Sequence, residues 1–121
     1  MAKRILIVDD SASVRQVAGM ALTRAGYEIV EAVDGQDGVE KLTGKLHLII
    51  SDVNMPRLDG IGFLKAVKAN QAYKFTPVIM LTTEAGEDKK NEGRSAGAKA
   101  WIVKPFQPQT LVDAVAKLVL P

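Results

Sequence analysis

The sequence predicts an α/β fold: a single open five-stranded parallel sheet with helices on both faces. Short apolar runs alternate with longer segments whose apolar residues recur at helical spacing. This alternation is typical of parallel strands that are joined by helical crossovers. The runs at 5–8, 48–50 and 78–81 are apolar at every position, which indicates central strands, because helices cover both sides of such strands.

The predicted elements follow one another in regular order. Predicted strands cover residues 4–8, 27–32, 46–51, 78–81 and 98–103. After the first helix, predicted helices cover residues 36–43, 60–70 and 87–96, and a last one starts at Pro108. Asp34-Gly35 predicts the turn before the second helix. The second strand alternates more than the others and suits an edge of the sheet.

The first helix is predicted from the spacing of its apolar residues. Either Ser11 or Ser13 can cap it, and Gly26 is a typical C-terminal stop. One helical face carries the residues Val14, Val17, Ala18, Ala21, Leu22 and Ala25. Met20 and Met80 also lie in apolar patterns, and we expect both to fill the core.

Composition bounds the classes of function. The 121 residues predict one domain, residues 1–121, and a net charge of +2 without a basic stripe argues against nucleic acid as a partner. The lack of cysteine excludes disulfides, thiolate metal sites and cysteine nucleophiles. The single histidine, His47, makes a multi-histidine metal site or a Ser-His-Asp triad untenable. No apolar run resembles a signal peptide or a membrane span, so we expect a soluble cytoplasmic protein without membrane insertion.

Polar side chains follow four of the predicted strands where each strand ends. Asp9 and Asp10 follow the first strand, Asp52 the third, Thr82 the fourth and Lys104 the fifth. Each residue alone has an ordinary explanation as a cap, a turn, a strand end or a solvated charge. Together they converge, because the carboxyl ends of parallel strands meet at one edge, where ligands bind.

Three carboxylates at one edge predict a metal site and a phosphoryl site. Crowded carboxylates resist ionisation, and a hard cation with oxygen ligands, Mg²⁺, relieves that repulsion. Without a suitable cysteine or histidine, the available nucleophile is a carboxylate, which forms aspartyl-phosphate in known enzymes. The pattern therefore predicts phosphoryl transfer onto an aspartate and leaves open which one.

Four separated segments occur in order along the whole chain: "ILIVDD", "IISDVNMPRLDG", "IMLTT" and "GAKAWIVKPF". They resemble the signature segments of bacterial response-regulator receiver domains, and of single-domain chemotaxis regulators in particular. The resemblance implies a flavodoxin-like (βα)5 sheet of order 2-1-3-4-5. It also implies that Asp52 is the phosphoacceptor, that Asp10 binds Mg²⁺ directly with Asp9 assisting, and that the Asn54 backbone carbonyl completes the metal ligands.

The resemblance implies further roles around this site. Thr82 is expected to move toward the phosphoryl group, and Lys104 to be its charge partner. Trp101 stands where the family usually has a switching Tyr or Phe. The bond before Pro105 is expected to be cis. Asn54 and Glu84 resemble positions that tune the phosphoryl lifetime, which we expect to be nearer minutes than hours.

The function implied is a phosphorylation-activated response regulator of a chemotaxis-like two-component system. A sensor histidine kinase would donate the phosphoryl group, and no output domain follows the last helix, so a protein contact would transmit the signal. The expected partners are that kinase and a flagellar motor switch protein or a phosphatase, with the chain itself a monomer. It would catalyse only its own phosphorylation and dephosphorylation.

Other functions remain open at this point. The chain can instead be a phosphorelay or phosphate-sink receiver that does not bind the motor. A Mg²⁺-dependent aspartyl-phosphate phosphohydrolase is a weaker alternative, because haloacid-dehalogenase-type enzymes have Asp-x-Asp after the first strand, whereas Asp9 and Asp10 are adjacent. A receiver-like scaffold would be expected to have lost site residues. No nucleotide-binding glycine motif is present.

Overall fold

The computed structural model describes residues 3–55, 57–83 and 97–119. Within these ranges the chain forms one sheet of five parallel strands in the order β2-β1-β3-β4-β5. The strands are β1 (Arg4–Val8), β2 (Glu28–Ala32), β3 (Leu48–Asp52), β4 (Val78–Thr82) and β5 (Ala100–Val103). The predicted fold class and strand order are confirmed, and β2 is an edge strand as predicted.

All the described helices but the last begin after a residue whose side chain caps them. The helices are α1 (Ala12–Arg24), α2 (Gly35–Glu40), α3 (Gly60–Ala69) and α4 (Pro108–Leu118). Of the two candidate caps of α1, Ser11 is the one whose side chain accepts from the Val14 backbone N–H, at 3.3 Å. Gly26 follows this helix with a φ of 100°, a backbone that glycine adopts without strain. None of the described helices is long and apolar enough to cross a membrane.

Alternate side chains of the central strands enter two apolar clusters, one on each face of the sheet. Leu6 and Val8 pack with α3, whereas Ile5 and Ile7 pack with α1 and α4. This period of two explains why the central strands are apolar throughout: both of their faces are buried. The sheet is therefore held from both sides, and its strand ends are fixed relative to one another.

Several predicted boundaries differ from the observed ones at strand starts. The second, third and fifth strands begin one or two residues later than predicted, at Glu28, Leu48 and Ala100. A strand begins only where a neighbouring strand can pair with it, and that condition is not visible in local apolarity. The second helix ends at Glu40, before the predicted residue 43, because tight turns take over the backbone hydrogen bonds. The predicted helix at 87–96 lies outside the described residues.

The expected core position of Met20 is wrong. Its side chain is 50% exposed, and that of Val17 is 47% exposed, whereas Met80 is fully buried. Ala18 and Leu22, four residues apart, define the buried stripe of α1. Met20 lies halfway between them in sequence and therefore points to the other side of the helix.

Met80→Ala is expected to lower the free energy of unfolding by about 3 kcal/mol, because it leaves a cavity in a closed core. Met20→Ala is the matched control, and the same truncation at this exposed position should change stability by less than about 0.5 kcal/mol. Urea unfolding of both variants measures the difference. Equal losses would contradict the difference in burial between the two methionines.

Candidate functional site

The parallel register brings the predicted site residues to one edge of the sheet. Asp9 directly follows β1, Asp52 is the last residue of β3, and Thr82 is the last residue of β4. The side chains of these three residues are buried, whereas that of Asp10 is exposed. Lys104 follows β5, and its backbone N–H donates to the Thr82 carbonyl at 2.6 Å. The convergence predicted from strand ends is thus present.

Three of these side chains form an acidic cluster. Carboxylate oxygens of Asp9, Asp10 and Asp52 all lie within 4.8 Å of one another. Oxygen donors of this type and number, with one residue open to solvent, suit a hard cation such as Mg²⁺, which retains part of its water shell. The donor set therefore fits the predicted metal.

Lys104 connects two members of the acidic cluster. Its Nζ lies 2.8 Å from Asp9 Oδ2 and 3.2 Å from Asp52 Oδ1. The second oxygen of Asp9 accepts from the Ser11 backbone N–H at 2.9 Å. The Lys104–Pro105 peptide bond is cis, as the resemblance implies. A single ammonium group thus contacts both buried carboxylates.

The pKa values of Asp52 and Lys104 are both raised, for different reasons. Burial, followed by the negative charge of Asp9, raises the pKa of Asp52 above that of an ordinary carboxyl group, although Lys104 opposes the shift. Burial alone would lower the pKa of Lys104, but its hydrogen bond to Asp9 and the charges of Asp9 and Asp52 outweigh that effect and raise it. Lys104 is therefore a fixed cation at neutral pH.

The loop after β3 is closed tightly against the strand that carries Asp52. The Val53 backbone N–H donates to Asp52 Oδ1 at 2.9 Å and to the Leu81 carbonyl at 3.0 Å. The Gly60 N–H then closes the loop on the Val53 carbonyl at 2.7 Å. A Cβ at Gly60 would lie 2.0 Å from the Asp52 carbonyl oxygen, so only glycine fits there. Asn54 lies in this loop with its side chain exposed.

Thr82 and Trp101 lie on the same face of the sheet. Trp101 pairs with Met80 in the β4–β5 register, and Thr82 is two residues further along β4. The indole is half-buried against the cluster that contains Met80. The predicted switch residues therefore share one layer of the structure. Glu84, the other residue that was predicted to tune the phosphoryl lifetime, lies outside the described residues.

Sequence reasoning missed the contacts of two arginines, Arg15 and Arg57. Arg15 Nη1 donates to the Asp9 backbone carbonyl at 2.7 Å, and its Nε donates to Glu31 at 3.2 Å. Arg57 donates two hydrogen bonds to Asp34, which the sequence indicated only as a turn residue. An arginine in a helix or a loop gives no local signal for such contacts, because its partners lie in other elements of the fold.

These features identify the protein as a receiver domain. The chain belongs to the response regulator receiver domain family, which it matches over residues 5–116. Proteins of this family are signalling proteins of two-component systems, and receiver domains bind Mg²⁺ at an acidic pocket.

Similar proteins place it with receivers of the chemotaxis type. Chemotaxis protein CheY1 of Helicobacter pylori is 40% identical over 91% of each chain. Protein PilG of Pseudomonas aeruginosa is 35% identical over 93% of this chain and 84% of its own. Chemotaxis response regulator CheY4 of Vibrio cholerae is 45% identical and superposes with a TM-score of 0.92, over 98% of this chain and 99% of its own.

Asp52→Asn is expected to raise the free energy of unfolding in Mg²⁺-free buffer at pH 7, by up to about 1 kcal/mol. The raised pKa of Asp52 means that the folded state binds this proton more tightly than the unfolded chain does. The penalty for ionised Asp52 is therefore present above its folded pKa and is lost as the pH falls toward about 4. Urea unfolding of both proteins across this range should show their stabilities converging in acid.

Two outcomes would contradict this account of Asp52. One is an Asp52→Asn protein that is less stable than the wild type at pH 7. The other is a stability difference that grows as the pH is lowered. Either result would mean that Lys104, and not burial and Asp9, dominates the energetics of this carboxylate.

Proposed function

We propose that the chain is a phosphorylation-activated switch of a chemotaxis-like two-component system, and that Asp52 is the residue that accepts the phosphoryl group. The observation that carries this proposal is the setting of Asp52. Its carboxylate lies at a buried strand end, next to two other carboxylates and 3.2 Å from the Lys104 ammonium. A nucleophilic carboxylate, a place for a metal and a fixed cation are the parts that phosphoryl transfer onto a carboxylate needs.

Mg²⁺ would be held by the acidic cluster and the loop after β3. Asp10 and Asp52 would supply side-chain oxygens, Asn54 its backbone carbonyl, and Asp9 would assist. The ion, when bound, supplies positive charge that offsets the carboxylates and draws a phosphoryl oxygen to the site. Asp9 accepts hydrogen bonds from the Ser11 backbone N–H and from Lys104 Nζ, and these would fix its orientation beside the ion.

The residues around Asp52 have distinct tasks in the transfer. An Asp52 oxygen forms a bond to phosphorus while the bond from phosphorus to the donor histidine nitrogen breaks, and the freed imidazole takes up a proton. Lys104 Nζ, already 3.2 Å from Asp52 Oδ1, would contact a phosphoryl oxygen without leaving the site. The Thr82 hydroxyl would donate to another. The same site would later admit water for hydrolysis, so the chain would catalyse only its own phosphorylation and dephosphorylation.

Phosphorylation would change the affinity for a partner through Thr82 and Trp101. A charge added at one site can shift a two-state equilibrium when the two states bind it differently. Thr82 and Trp101 share one face of the sheet, which supports their coupling.

We propose a sensor histidine kinase as the donor and a flagellar motor switch protein or a phosphatase as the partner. The protein would act in the cytoplasm as a monomeric receiver over residues 1–121.

Incubation with acetyl phosphate and Mg²⁺ is expected to add one phosphoryl group to the wild type and none to Asp52→Asn. The reason is that this substitution removes the nucleophile but keeps the shape of the side chain. Intact mass spectrometry measures the adduct, and Asp113→Asn, a change at an exposed position of α4, is the matched control that should still be phosphorylated. An unmodified wild type would refute the proposal, and turnover of diverse phosphate esters would favour a phosphohydrolase instead.

The emission of Trp101, the only tryptophan, is expected to change when the protein is phosphorylated. Thr82→Ala should still take up the phosphoryl group. The change in its tryptophan emission should be less than about half of the change in the wild type, because the hydroxyl that couples the two sites is missing. Thr82→Ser retains the hydroxyl and should restore most of the change. A full response in Thr82→Ala would exclude Thr82 from the coupling.

A further inference from the structure

An ion pair joins the two loops that flank the acidic cluster. Arg57 Nε donates to Asp34 Oδ2 at 2.8 Å, and its Nη2 donates to the same oxygen at 2.5 Å. Asp34 Oδ1 accepts from the Asp37 backbone N–H at 2.8 Å and so caps α2. Asp34 is only 5% exposed, and both of its carboxylate oxygens accept hydrogen bonds. The hydrogen bond from the Asp37 N–H lowers the pKa of the Asp34 carboxyl group, and Arg57 lowers it further. Burial opposes this shift but does not cancel it.

The two loops are in direct backbone contact at this point. A Cβ at Gly35 would lie 2.1 Å from the Leu58 carbonyl oxygen, so a larger residue would push the loops apart. Arg57 itself has a φ of 68°, a left-handed backbone that a non-glycine residue adopts at a cost. Such a conformation persists where other contacts hold it, and the ion pair to Asp34 is the contact that its side chain makes.

The location of this pair connects it to the metal site. In the sheet, β1 lies between β2 and β3, so a bond from the loop after β2 to the loop after β3 spans the end of β1, where Asp9 and Asp10 lie. The loop after β3 is fixed to the sheet at Val53 and closes at Gly60. Asn54 lies between those closures, and Arg57 ties that same stretch to α2 through Asp34.

We propose that Arg57 is a positioning residue of the metal site, which acts through Asp34 to hold the Asn54 carbonyl where it can bind Mg²⁺. This inference rests on the proposed function, since it assigns the Asn54 carbonyl to the metal. Residues that orient a metal ligand typically change metal affinity when they are removed. Arg57 would therefore set the Mg²⁺ concentration at which the receiver can be phosphorylated, without touching the phosphoryl group.

The sign of the effect separates positioning from simple electrostatics. Arg57→Ala removes a positive charge near a cation site and leaves Asp34 without its cationic partner, so charge alone would tighten Mg²⁺ binding. Loss of positioning would weaken it. Alanine is chosen over glycine because it retains a Cβ. The cost of the left-handed backbone at position 57 then stays nearly unchanged, whereas glycine would remove it.

The test is a calorimetric titration with Mg²⁺. Thermal melts of each variant first establish that it is folded at the temperature of the titration. Arg57→Ala is expected to bind Mg²⁺ about 10-fold more weakly than the wild type, and Arg57→Lys to recover part of the loss. Phosphorylation by acetyl phosphate should need correspondingly more Mg²⁺, but its rate at saturating Mg²⁺ should stay within about 2-fold of the wild type. Arg24→Ala, at an exposed arginine in the last turn of α1, is the matched control and should behave as the wild type.

A double-mutant cycle tests whether Arg57 acts through Asp34. Asp34→Asn retains an oxygen to cap α2 but removes the charged acceptor, so Arg57→Ala should have little further effect on Mg²⁺ affinity in that background. The inference is overturned if Arg57→Ala binds Mg²⁺ as tightly as the wild type or more tightly, or if its effect persists undiminished with Asp34→Asn. A wild type that binds no Mg²⁺ would instead refute the proposed function.

Discussion

The burial of negative charge at the strand ends is the constraint on which the rest of this structure depends. Asp9 is fully buried and Asp52 is 6% exposed, and carboxylates taken out of water need compensation. Lys104, which directly follows β5, supplies part of this compensation, because its one ammonium group contacts both carboxylates. The compensation is incomplete, because the pKa of Asp52 remains raised. The site is therefore set up to gain from a cation or from chemistry that changes the charge of Asp52.

A site of this kind needs a rigid frame, and the apolar strands provide it. β1, β3 and β4 are buried on both faces, so the ends that carry the acidic residues cannot shift independently. The loops beyond those ends are held by other means. Gly60 brings the loop after β3 against the Asp52 backbone, and the Arg57–Asp34 pair ties the same loop to α2. The core thus places Asp9 and Asp52, whereas loop contacts hold the segments that surround them.

Particular residues show how much of the fold and site the local sequence encodes. The run Leu48–Ile50 predicted a central strand, and its continuation to Asp52 predicted a carboxylate at the sheet edge; both are present. The same reasoning was wrong for Met20, because apolarity alone put it in the core although it lies two residues from both Ala18 and Leu22 and so faces away from their buried side of α1. It also left the cap of α1 open between Ser11 and Ser13, since a capping bond depends on the backbone at the helix start.

The sequence by itself determined the order of strands and helices and the set of polar residues at the strand ends. Those features are encoded locally, in the periodicity of apolar residues and in the polar residues that end each apolar run. Only the tertiary structure decided which of these groups touch. Lys104 and Asp9 are 95 residues apart, and Arg57 and Asp34 are 23 apart, so no local pattern pairs them. Packing of strands in the order β2-β1-β3-β4-β5 brings each pair together, and it is this packing that converts scattered charges into a site.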